Sequence, residues 1–96
     1  MKKNEIVEHL RLDARRSWGS DLKMCVVDPV RYQVDGEVSS CLVHCFLSRD
    51  NYYSKSRLEK VMELLNAFDY TVKVKSTSLL VTYYVTYIAN LRKLIV

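Results

Sequence analysis

Val30-Arg31-Tyr32-Gln33-Val34-Asp35-Gly36-Glu37-Val38 is the stretch on which the fold turns. Asp-Gly is a favoured pair for a two-residue type I′ turn, because both central positions take positive φ. A turn there sets Val34 opposite Glu37. Carried back along the ladder, that register gathers Met24, Val26, Val30, Tyr32 and Val34 with Cys41, Val43, Cys45 and Leu47 on one face. The face is apolar almost throughout, as a core-facing side should be. The other face pairs Cys25 with Phe46, Val27 with His44, Pro29 with Leu42 and Arg31 with Ser40, and is half apolar. Asp28 interrupts the apolar face, and Pro29 has no N–H for a ladder bond, so Asp28-Pro29 reads as a bulge or an edge break.

Upstream, Asn4 is a suitable N-cap, and Ile6, Val7, Leu10, Ala14 and Trp18 recur at helical spacing. The spacing predicts a helix over 5–18, ended by Gly19-Ser20. Downstream, Ser56-Arg57-Leu58-Glu59 has the form of a capping box, and Leu58, Val61, Met62, Leu65 and Phe68 continue it, predicting a helix over 57–68. Tyr70, Val72 and Val74 then alternate with Thr71, Lys73 and Lys75, and residues 79–88 are rich in β-branched and aromatic types. A turn at Ser76-Thr77 would put Leu79, Val81 and Tyr83 on the face of Val74, Val72 and Tyr70, and Lys73, Lys75, Leu80, Thr82 and Tyr84 on the other. The tail 90–96 fits a short C-terminal helix. The expectation is one small α+β domain over 1–96, in the order α-β-β-α-β-β, with two helices on an antiparallel sheet of about four strands.

Composition narrows the function classes. The 96 residues carry a formal charge of +4, and 49 % are hydrophobic, enough to form a core. No apolar run approaches the ~20 residues of a membrane helix, and the first residues lead into an amphipathic pattern rather than a signal sequence. Three cysteines cannot all pair, so reduced thiols and a cytoplasmic location are expected. Cys41, His44 and Cys45 suggest zinc, but on a strand His44 and Cys25 point away from Cys41 and Cys45, so no tetrahedron collects them. No metal or cofactor is expected. His9 and His44 are the only imidazoles, and phosphate-cradling glycine loops are absent, so no catalysis is expected.

Binding is the class that remains. Ser48-Arg49-Asp50-Asn51-Tyr52-Tyr53-Ser54-Lys55-Ser56-Arg57 gathers three cations and two tyrosines at the lead-in to the second helix. Arg49, Lys55 and Arg57 can hold phosphate or carboxylate while Tyr52 or Tyr53 stacks on a base. Arg11 and Arg15 form a second basic patch. Lys73, Lys75 and Tyr84 share a strand face but read as ordinary exposed polarity, since the element order differs from that of β-α-β-β-α-β RNA-binding sheets. The expected role is a non-catalytic protein that docks on nucleic acid (RNA or DNA) or on a protein that handles it, acting by occupancy as an inhibitor or modulator. The alternative is homodimeric assembly through Val27, Leu42 and Phe46, with the tail Leu94-Ile95-Val96.

Overall fold

The structure, a computed structural model, describes residues 3–34 and 37–91, with backbone alone over 30–34 and 37–39. Helix α1 (Lys3–Trp18) leads through a short 3-10 turn (Gly19–Asp21) into strands β1 (Leu22–Val34) and β2 (Glu37–Arg49). Helix α2 (Lys55–Leu64) and strands β3 (Ala67–Ser76) and β4 (Val81–Asn90) follow. The four strands form one antiparallel sheet in the order β1-β2-β4-β3, so β1 and β3 are its edges. The class is α+β, as the sequence implies. The Asp35-Gly36 turn and the expected helix in the tail beyond Leu91 lie outside the described residues, although Asn90 is still strand.

α1 buries Ile6, Leu10, Ala14 and Trp18, one residue per turn, against the sheet. It already includes Asn4, which is therefore not its N-cap. Gly19 ends it at φ 63°, a left-handed conformation that costs glycine nothing.

α2 begins two residues earlier than expected. Ser54, extended at ψ 153°, accepts a hydrogen bond at 3.2 Å from the Arg57 N–H, so Ser54 and not Ser56 is the cap. The helix also ends earlier, because Asn66 takes φ 52° and turns the chain. Phe68 thus falls on β3 and is exposed, while Val61, Met62 and Leu65 reach the core.

The hairpin register holds at the turn, with Val34 opposite Glu37 and Gln33 opposite Val38, and then slips. Between Asp28↔Leu42 and Tyr32↔Ser40, residues 29–31 of β1 stand against Cys41 alone. The bulge expected at Asp28-Pro29 is therefore present, on an edge strand where a proline is tolerated. A second offset lies nearer the turn, where Ser39 of β2 is extra between Gln33↔Val38 and Tyr32↔Ser40, and two extra residues on β1 less one on β2 leave a net slip of one. Met24 now pairs with Phe46, Cys25 with Cys45, Val26 with His44 and Val27 with Val43. A one-residue slip exchanges the faces of a strand. Met24 and Val26, expected in the core, are exposed, while Val27 is buried with Cys41, Val43, Cys45 and Leu47.

β3 and β4 are joined through Thr77–Leu80, where the Thr77 N–H donates to the Leu80 carbonyl at 2.8 Å and the Leu79 and Leu80 N–H groups donate to Thr77 Oγ1. Val74, expected beside Leu79, lies opposite Tyr83, four positions on. An even slip keeps the faces, so Val72 and Val74 share a side with Val81, Tyr83 and Val85 as expected. Leu79 and Leu80 fall in the exposed turn. Both helices cover one side of the sheet, where Tyr83, Tyr87, Leu47, Val43, Val85 and Cys41 are fully buried.

Candidate functional site on the open sheet face

The side of the sheet away from the helices can be read in rows, because strand pairing fixes which side chains stand abreast. One row runs Met24–Phe46–Tyr84–Lys73 across all four strands. The next, toward the turn of the hairpin, is Val26–His44–Thr86–Thr71. On the other side of the first, Ser48, Thr82 and Lys75 line up. At ~4.8 Å between strands, a row is roughly 14 Å wide. The face thus has aromatics in the middle, cations at the β3 edge and aliphatic groups at the β1 edge.

Phe46 and Tyr84 meet edge to face, with centroids 5.2 Å apart and planes at 67°. His44 Nδ1 lies 3.3 Å from Thr86 Oγ1, which orients the imidazole in the row beside them. Met24, Val26, His44, Phe46, Tyr84 and Thr86 line an apolar depression of about 250 Å³. Met24 is 59 % exposed, Val26 47 % and Tyr84 46 %. Side chains this apolar on one continuous surface are the part of a small domain that water covers least well.

The loop expected to carry the site is built differently. Tyr53 is only 7 % exposed and belongs to the core. Its ring packs edge to face on Trp18 at 5.6 Å and on Tyr83 at 5.1 Å, and its N–H donates to the Tyr83 hydroxyl at 2.6 Å. The Tyr53 hydroxyl donates to Asp21 Oδ2. Burial first, and then the Asp21 carboxylate, push the Tyr53 phenol well above its ordinary pKa. Arg49 lies over the same ring, Cζ 4.2 Å from the centroid, with Nε 3.9 Å from Asp21 Oδ2. This tyrosine cannot stack on a base, and this arginine is already matched by an acid within the fold.

Tyr52, at 61 % exposure, and Lys55 and Arg57 on the first turn of α2 do face solvent. Arg11 and Arg15 are exposed on α1. The residues named for assembly are split by the slipped register: Leu42 and Phe46 stand on the open face, whereas Val27 is buried beneath the helices. Leu94-Ile95-Val96 lies outside the described residues. The cysteines are also regrouped. Cys25 shares the helix-covered face with Cys41 and Cys45, not with His44.

Sequence reasoning placed Lys73, Lys75 and Tyr84 on a common face but left Phe46, Met24 and Val26 off it. The alternation within each strand was readable. The pairing of β2 with β4, which brings Phe46 beside Tyr84, joins residues 38 positions apart and has no local signature. Among the described residues no helix is long and apolar enough to cross a membrane. Comparison of the chain with protein-family models, with curated proteins and with solved structures found no match.

Proposed function

We propose that this chain is a non-catalytic binding protein and that its open sheet face takes single-stranded nucleic acid, acting by occupying it. The row Phe46–Tyr84–Lys73 carries the reading. It sets two aromatic rings and a cation abreast on a helix-free surface, with Lys75 one row along. Bases stack on such rings without regard to sequence, and the flanking ammonium groups take the phosphates. Tyr52, Lys55 and Arg57 extend the basic, aromatic surface at the loop that follows β2. Arg11 and Arg15 remain a second basic patch for the same partner or for a protein that handles it.

The test is fluorescence anisotropy of a labelled, unstructured oligonucleotide titrated with the protein at several salt concentrations. Binding is expected to weaken as salt rises, through counterion release. Lys73→Glu with Lys75→Glu should flatten the salt dependence by ~1.4 in log–log slope, at about 0.7 per phosphate contact on a single strand. Tyr84→Ala should weaken binding by roughly 5- to 150-fold, the value of 1–3 kcal/mol of stacking. An oligonucleotide that fails to bind at low salt, or binds all these variants equally, overturns the reading.

The exposed Met24 and Val26 favour a second reading, in which two copies meet across the apolar end of the face. Sedimentation equilibrium separates the two. A dimer that persists in high salt and is lost in Val26→Asp supports assembly, and a wild-type monomer at micromolar concentration ends it.

A further inference from the structure

Cys25 on β1 and Cys45 on β2 stand directly opposite one another on the helix-covered face. Opposed residues of an antiparallel pair have Cα atoms about 4.5–5.5 Å apart, inside the ~4.4–6.8 Å that a disulfide spans. Facing one another, the two thiols are driven apart in acidity: Cys45 holds its proton more tightly than usual and Cys25 is favoured as the thiolate. The guanidinium groups of Arg11 and Arg15 on α1 favour the same anion.

The partner thiol has polar company of its own. Cys45 lies 3.9 Å from the Tyr87 hydroxyl. The buried indole N–H of Trp18 has no hydrogen-bond partner among the described residues, and the neighbouring Cys25 sulfur first, then burial, push the Cys45 thiol well above its ordinary pKa. Cys41 is out of reach of both. It sits four residues from Cys45 along β2, roughly 13 Å away at ~3.3 Å per residue, beyond the reach of a disulfide. Burial first, and then Asp28, push its thiol up to about 11.

We infer that Cys25 and Cys45 are a reactive dithiol that closes to a reversible cross-strand disulfide by exchange with a small-molecule disulfide such as oxidised glutathione. The half-buried Cys25 thiolate attacks one glutathione sulfur, and the first glutathione leaves as a thiolate that takes a proton from water. Cys45 then attacks the Cys25 sulfur of the mixed disulfide, and the second glutathione departs with the Cys45 proton. Two protein thiols lose two electrons and two protons, and oxidised glutathione gains them as two thiols. The bond would fasten the edge strand β1, whose ladder is interrupted at the bulge, to the central strand β2. Met24 and Val26 flank Cys25 on the opposite face, so the dithiol lies directly beneath the apolar end of the open surface. The inference does not depend on what that surface binds.

The full chain is incubated with oxidised glutathione, remaining thiols are trapped with iodoacetamide in guanidinium chloride so that buried ones are reached, and the products are mapped by mass spectrometry without reduction. The expected product is two hydrogens lighter, links the Cys25 and Cys45 peptides and is alkylated at Cys41 alone. Its Tm should rise and return to the starting value with dithiothreitol. Cys45→Ser should stop at a stable glutathione adduct on Cys25, and Cys41→Ser should close as the wild type does. Three alkylated thiols in the treated wild type, a lasting adduct on its Cys25 or a bridge to Cys41 would overturn the inference. The wild-type result decides the matter even where a variant folds poorly.

Discussion

The Tyr53 hydroxyl donates to the carboxylate of Asp21, joining the loop after β2 to the turn after α1 across 32 residues of sequence. Arg49 completes the group from above the ring. Tyr53→Phe keeps the ring and its contacts with Trp18 and Tyr83 but removes this bond, and should cost about 1–2 kcal/mol. Tyr53→Ala opens the core and should cost about 3–5 kcal/mol. Tyr52→Ala should stay within about 0.5 kcal/mol. Urea unfolding followed by circular dichroism checks the series, and equal losses at the two tyrosines would refute the assignment of Tyr53 to the core.

The cap of α2 separates two serines. Ser54→Ala removes the oxygen that accepts from the Arg57 N–H and should cost about 1 kcal/mol. Ser56 is exposed inside the first turn, and Ser56→Ala should be neutral or slightly stabilising. The reverse order of the two losses would restore the capping box suggested by the sequence.

Gly19 holds φ 63° with nothing within 4 Å of where a side chain would begin. Gly19→Ala should therefore cost about 1–2 kcal/mol through backbone strain alone, and Gly19→Asn less, since asparagine tolerates this conformation. Thermal unfolding measures both. A loss in the asparagine variant as large as in the alanine one would mean that space, not backbone, constrains the site.

Alkali should unfold the protein. Cys41 is raised from 9.0 to about 11, and the Tyr53 and Tyr87 phenols are raised above their ordinary 10.0, burial being the first cause in each. A folded state that holds these protons more tightly is fully favoured below the unfolded values and loses that advantage as pH climbs through the folded ones. Urea midpoints should fall steadily from about pH 9 to about pH 11. Midpoints that stay level across that window would contradict the burial of these groups.

What could be read from the sequence was what is written locally. Helical spacing marked Ile6, Leu10, Ala14 and Trp18 as one buried stripe, and alternation placed Tyr83 and Tyr84 on opposite faces. The features missed depend on counting or on distant partners. Pro29 announces a bulge, but nothing local announces the extra Ser39 on the facing strand, and only the odd sum of the two offsets puts Met24 and Val26 on the open side. Tyr53 looked like a loop aromatic beside cations, because the Asp21 and Tyr83 that draw it inward are far away in sequence. Helix boundaries shifted because Ser54 and Ser56 are both suited to cap α2, and because the apolar spacing runs on to Phe68 past Asn66, whose left-handed backbone ends the helix.

The two offsets between β1 and β2, at residues 29–31 and at Ser39, make the outer character of β1 a matter of arithmetic rather than of composition. Removing one residue between Asp28 and Tyr32 would rotate the first half of the strand by a half-step. Met24 and Val26 would turn under the helices, and Cys25 and Val27 would emerge. A lineage that gained or lost a single codon there would repaint one surface and dissolve the thiol pair on the other, with every amino acid outside the gap left as it was.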